Sequence, residues 1–200
     1  MSVADEYQQI TSFLFHWQAY EPSVKADLSC CALFIPDGLV FVDPIPLEKG
    51  ALCELVELAV PRAVVLTNGN HERAAASFKK QFGIPVYAHT QAEGEVTADH
   101  WIEEGELFDS VNVISLPGFG LGEIALHVNQ GAGALLMGDA LINFGEYPFM
   151  PLPDKYCTDP KQGRQSLRKL LSCDFELMTF SHGTPIISGA KARLEKLLSH

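Results

Sequence analysis

Residues 63–67, Ala-Val-Val-Leu-Thr, carry no polar side chain until the last position. A strand apolar at every position has no face to give to water, so it is stable only when packed on both sides. The chain then reverses character. Asn68-Gly69-Asn70-His71-Glu72-Arg73 is wholly polar or glycine, and Ala74, Ala75, Phe78 and Phe82 follow at helical spacing until Gly83 closes the run. Such a hand-over from buried strand to amphipathic helix is where layered proteins often place ligands. Read residue by residue, Asn68 and Asn70 also suit a left-handed turn and a helix N-cap, with Glu72 favourable near the helix dipole.

Two other strands stop in the same way. Residues 134–139 run Ala-Leu-Leu-Met-Gly into Asp139, and residues 176–180 run into Ser181-His182-Gly183. The run 111–117 ends in the glycine-rich turn Pro117–Gly122. Taken singly, Asp139 reads as a turn or cap residue and His182 as a satisfied structural histidine. Polar groups gathered on one rim of a sheet are the usual way a scaffold builds a site.

The rest of the chain supplies layers. Residues 31–36 and 39–44 are β-rich and joined by Asp37-Gly38, a hairpin signal. Leu47 to Val60 has helical spacing and is stopped by Pro61. Strands are predicted at 85–89 and 123–128, a helix from Lys161 to Leu171, and a second helix at the C-terminus. Residues 91–105 favour neither state. Residues 143–160 hold four prolines and no periodicity, which predicts a long loop of the functional kind. These elements predict one α+β domain over residues 1–200, with helices covering the outer faces of its sheets.

Composition narrows the partners. The formal net charge is −11 and the pI about 5.0, so phosphate backbones and anionic membranes are repelled at long range. Neither a signal peptide nor a membrane span is predicted from the N-terminal residues or any later run. Cys30, Cys31, Cys53, Cys157 and Cys173 form an odd set without C-x-x-C spacing, which reads as reduced thiols in a cytoplasmic protein.

The ordered set of motifs, from about Cys30 to Pro185, resembles the metallo-β-lactamase superfamily. That family runs a buried strand into Thr-His-x-His-x-Asp-His, a later one into Pro-Gly-His-Thr-x-Gly, a third into Gly-Asp, and a last into His beside Gly. Residues 64–73, 117–122, 138–139 and 181–183 occur here in that order, and residues 39–44 are similar to its early strand ending in Asp. The resemblance implies a four-layer αββα sandwich with two mixed sheets flanked by helices.

It also implies altered chemistry. Asn68 and Asn70 stand where the family has the two His of its first metal, and Phe119 stands at the third ligand. Glu72 and Arg73 match the Asp and His of the second metal, while Asp139 and His182 are unchanged. His71 falls between the matched ligands and is expected to point elsewhere. Amide and phenyl groups are poor zinc ligands, and a guanidinium has no lone pair to give. The expectation is a metal-free rim with Arg73 forked onto Asp139 or Glu72 in the cation's place, and no cofactor. Asn68, Asn70, Arg73, Phe119 and His182 would then bind a small polar or anionic molecule, under a cover that includes Phe144, Tyr147, Phe149 and Tyr156. The alternative is one Zn, Fe or Mn ion on Glu72, Asp139 and His182, with Asp139 and His182 catalytic in hydrolysis of an ester, thioester or phosphoester. A third reading makes the rim and the loop 143–160 a protein-docking platform. No nucleic-acid or membrane partner is expected.

Overall fold

The computed structural model describes residues 1–143 and 149–199. A seven-stranded sheet runs in the order β1 (Gln8–Gln9), β2 (Leu14–Glu21), β3 (Ala26–Ile35), β4 (Gly38–Val42), β5 (Pro61–Val65), β6 (Val86–His89) and β7 (His100–Ile102). A five-stranded sheet is ordered β14 (Leu177–Phe180), β11 (Ala134–Met137), β10 (Ile124–Val128), β9 (Val111–Ser115) and β8 (Gly105–Phe108). A short ribbon pairs β12 (Leu141–Ile142) with β13 (Met150–Pro151).

The apolar strands are continuous because alternate residues enter different cores. Leu39 and Phe41 of β4 and Val64 of β5 face α1 (Lys49–Leu58) and α2 (Ala75–Phe82). Val40, Val42, Ala63 and Val65 instead meet Val113, Ile124, Leu126 and Leu136 between the sheets. On the far side, Ala125, Leu135 and Met137 pack with Leu167, Leu170, Ala190 and Leu194 of the last helices, α3 (Pro160–Ser166), its 3-10 extension Leu167–Ser172, and α4 (Ala190–Leu198). The central strands β4, β5, β10 and β11 therefore bury both faces, and the layers are helix, sheet, sheet, helix.

Several boundaries differ from the sequence reading. The predicted hairpin 31–36/39–44 is the β3–β4 pair, but β3 begins earlier, at Ala26, and a further strand, β2, pairs ahead of it. The ambiguous stretch 91–105 contains a 3-10 turn and β7. The first-motif helix begins only at Ala75, after a turn; its N-cap is Ala74, and neither Asn68 nor Asn70 caps it. The predicted loop 143–160 holds β13 and a 3-10 turn at Asp154–Tyr156, while Phe144 and Tyr147 lie outside the described residues.

Parallel pairing decides where the rim forms. β4 and β5 are parallel, as are β11 and β14, so their C-terminal ends leave the sheets on the same side. In the second pair Met137 is opposite Phe180, which sets Asp139 beside His182 two residues further on. The amide of Ile124 donates to the carbonyl of Thr67 (2.8 Å), joining the two sheets at this rim.

Candidate functional site

Asp43, at the end of β4, is 1% exposed and gathers four donors. The Thr67 amide donates to its Oδ1 (2.8 Å), and Oδ2 accepts from Thr67 Oγ1, Ser181 Oγ (2.7 Å) and His71 Nδ1 (2.9 Å). With Nδ1 committed to Asp43, His71 turns Nε2 toward Asp139 Oδ1, 3.2 Å away. His182 does likewise from the other side. Its Nδ1 donates to the Asp27 carbonyl (2.9 Å) and its Nε2 lies 3.3 Å from the same Asp139 oxygen.

Asp139 Oδ1 is buried, accepts no hydrogen bond among the described residues by geometry, and is paired by charge with the two imidazoles that flank it. The three donor atoms all lie within 4.8 Å of one another. Ligand atoms on a four-coordinate zinc, with bonds near 2.1 Å, stand about 3.4 Å apart. Two imidazoles and one carboxylate, each imidazole oriented by a carboxylate or carbonyl on its other nitrogen, fit a single transition-metal ion. His71 is thus part of the cluster rather than pointing away, contrary to the motif spacing.

Glu72 is not part of it. Its carboxylate leaves the rim and accepts from the Thr97 amide (3.2 Å). Arg73 does not fork onto Asp139 or Glu72 either. Its Nη1 donates to the carbonyls of Ser29 (2.7 Å) and Asp43 (3.2 Å), and Nη2 to that of Ser181 (3.4 Å). The guanidinium is spent on backbone carbonyls of β3 and of the residues that follow β4 and β14, and Arg73 takes a positive φ of 40° there.

The ligand-binding set predicted from sequence divides. Asn70, Arg73 and His182 line a cavity of about 860 Å³ with His71 and Asp139. Asn68 and Phe119 do not line it. Asn68 is 1% exposed and donates through Nδ2 to Glu123 Oε2 (2.9 Å), while Phe119 is buried against the backbone of Gly163. Tyr156 and Lys155 stand at the cavity wall, and Phe149 instead packs on Phe180. Leu28, Ile142 and Leu152 add apolar surface.

Charge follows from this geometry. Burial and Arg73 both press His71 toward neutrality, but Asp43 and Asp139 overcome them and raise it to about 9. Burial would raise Asp139, yet the positive charge of His71, with His182 and Arg73, holds it well below the usual carboxylate range. Asp43 is likewise lowered against the cost of its burial, chiefly by His71. Burial keeps His182 below its ordinary value, and burial with the nearby Asp139 lifts Glu123 to about 8. In the ion-free protein near neutral pH, two carboxylates are therefore balanced by an imidazolium and a guanidinium. Sequence reading missed three contributors: His71, Asp43 as its orienting group, and Glu123. The one available signal was the aspartate ending an apolar strand, since a buried carboxylate needs partners.

A four-layer sandwich whose parallel strand ends converge on two histidines and an aspartate has the architecture of the metallo-β-lactamase fold. A family model described as metallo-beta-lactamase superfamily matches residues 10–199, and the chain belongs to that superfamily. No curated protein matches it. Among solved structures it is similar to DIM-1 metallo-beta-lactamase (TM-score 0.74, 15% identity, 98% of each chain covered). It is similar also to a metallo-beta-lactamase from Erythrobacter litoralis (0.75, 18%, 96% of this chain and 95% of that one) and to one from Pontibacter korlensis (0.74, 15%, 98% and 99%). No helix among the described residues is long and apolar enough to cross a membrane.

Proposed function

We propose that the protein is a single-metal hydrolase whose ion is held by His71, Asp139 and His182. The observation that carries this reading is the convergence of the buried Asp139 Oδ1 with His71 Nε2 and His182 Nε2, all within 4.8 Å of one another. A buried carboxylate oxygen left without a donor is costly, and a cation removes that cost.

A divalent ion at this point supplies Lewis acidity toward water and toward a carbonyl or phosphoryl oxygen. The chain's own residues do the rest. Asp43 and the Asp27 carbonyl keep the Nδ1 protons of the two histidines, so both Nε2 lone pairs are presented to one point. Asn70 offers an amide at the cavity wall, and Leu28, Ile142, Leu152 and Tyr156 form apolar walls for the remainder of an ester, thioester or phosphoester. The solved relatives are named as β-lactamases; a lactam amide is one further candidate bond.

The ion-paired state, with His71 protonated between Asp43 and Asp139, favours a second, metal-free reading in which the cavity binds a small polar molecule. Metal analysis of protein purified in zinc-containing medium separates the two. About one equivalent per chain, removed by chelator and lost in Asp139→Ala, is expected; a content near zero that no added Zn²⁺, Mn²⁺ or Fe²⁺ raises sinks the hydrolase reading.

A further inference from the structure

The three proposed ligands reach the site from different places, and only one pair is joined by strand pairing. Asp139 and His182 follow the parallel neighbours β11 and β14. His71 comes from the other sheet, and β5 does not pair with β11. Its distance from Asp139 must be set by something else.

A directional chain of hydrogen bonds spans that gap. The Asn70 amide, next to His71, donates to Asn68 Oδ1 (2.8 Å). Asn68 Nδ2 donates to Glu123 Oε2 (2.9 Å), and Glu123 Oε1 accepts from the amide of Ala140 (2.8 Å), next to Asp139. Both side chains are almost fully buried and neither lines the cavity. The backbone makes room for the link. A Cβ at Gly138 would stand 2.5 Å from Glu123 Oε1 and 2.8 Å from Thr67 Oγ1, so any side chain there would push the carboxylate off Ala140.

We infer that Asn68 and Glu123 form a positioning pair, an internal cross-link that sets the separation of His71 and Asp139. For its consequence in ion binding the inference rests on the single-metal reading above. The pair does not line the cavity, and Asn68 Nδ2 also lies 3.5 Å from His71 Nε2. Its role is geometric, as with other groups that orient metal ligands and whose loss weakens binding by about 10–100-fold.

The direction of the bonds supplies the test. Glu123→Gln sets an amide NH₂ against that of Asn68, and Asn68→Asp removes the NH₂ donor and sets a second carboxyl group against that of Glu123. The double variant Asn68→Asp/Glu123→Gln restores one donor facing one acceptor and keeps one carboxyl group in the pair. Two readouts are taken on the full chain: Co²⁺ affinity, and the ring ¹⁵N signals of His71 in chelator-treated protein. Each single variant is expected to bind Co²⁺ about 10–100-fold more weakly and to move the His71 signals. The double variant should return affinity to within about threefold of the original protein. Unmoved His71 signals in both single variants, or a double variant with native thermal midpoint that binds no better than the weaker single, overturn the inference. Should the unaltered protein bind no Co²⁺, the hydrolase reading falls, and the His71 signals alone decide the cross-link.

Discussion

Two halves of one rim have been built to different ends. On the side of Asn68, Glu123 and Phe119, every polar atom discussed is spent on another protein group, and the phenyl ring is sealed against Gly163. On the side of His71, Asp139 and His182, the outer nitrogens are spent and the inner atoms converge on one another beside a cavity. The first half behaves as core, and the second keeps the geometry of a ligand set. The contrast teaches that motif residues have to be judged by where their second hydrogen bond goes. A histidine whose Nδ1 is fixed presents Nε2; an amide held at both ends, like that of Asn68, is kept out of the cavity.

The largest effect should come from the residue that supports the open half. Asp43→Ala leaves His71 with one fewer counter-charge and strips acceptors from Thr67 and Ser181. Breaking a buried ion pair of this kind costs roughly 3–5 kcal/mol. Urea unfolding at pH 7 measures it, and a loss under about 1 kcal/mol would mean that the half stands without its buried carboxylate.

Next is the identity of the ligands. His71→Ala and His182→Ala are each expected to weaken Zn²⁺ or Co²⁺ binding by about 100-fold or more, near 2.7 kcal/mol, whereas Glu72→Ala should leave it within about twofold. Calorimetric titration gives all three values. Equal losses in Glu72→Ala and His71→Ala would restore the ligand set that motif spacing suggests, and with it a different geometry for the turn.

That outcome turns on why some of this molecule was legible in sequence and some was not. The layers were readable because each apolar run feeds two cores, as in Leu39-Val40-Phe41-Val42, and because Gly83 and Pro61 punctuate helices for backbone reasons. Asp139 and His182 were readable for the same local reason, since a parallel pair ends beside each of them. The turn 68–74 was not. Its path depends on Asn68 being held from a distant strand by Glu123, on Gly69 donating to the Leu121 carbonyl, and on Arg73 adopting a positive φ to reach carbonyls on both sheets. No local spacing encodes those long-range bonds, so counting along the motif placed Glu72 inward and His71 outward.

Acid should separate the rim from the core behind it. His16 on β2 is buried, its Nε2 has no partner among the described residues, and burial lowers it to about 4. Between pH 6.5 and 4 the unfolded chain therefore binds a proton that the native one refuses. This contribution is whole above about pH 6.5 and is lost as pH falls through that window, reaching about 2 kcal/mol at pH 5. Unfolding curves at pH 7 and 5 should show the loss, and His16→Leu should flatten it. If His16→Leu leaves the slope unchanged, the acid response belongs to the other imidazoles held below their ordinary value by burial, His182 and His89.

The smallest effect tests Arg73, the residue whose permanent charge first suggested a stand-in for the ion. Its guanidinium reaches a carbonyl on β3, one after β4 and one after β14, so it ties the two sheets together beside His71. Lysine keeps the charge but cannot fork across three carbonyls. Arg73→Lys should cost about 1 kcal/mol of stability, the worth of one such bond, and leave ion affinity within about threefold. A stand-in cation predicts the opposite pattern: with the positive charge retained, stability would hold, and a shorter side chain that vacates the place would let ion affinity rise. Measuring both quantities on one variant tells a backbone clasp from an occupant of the ion's position.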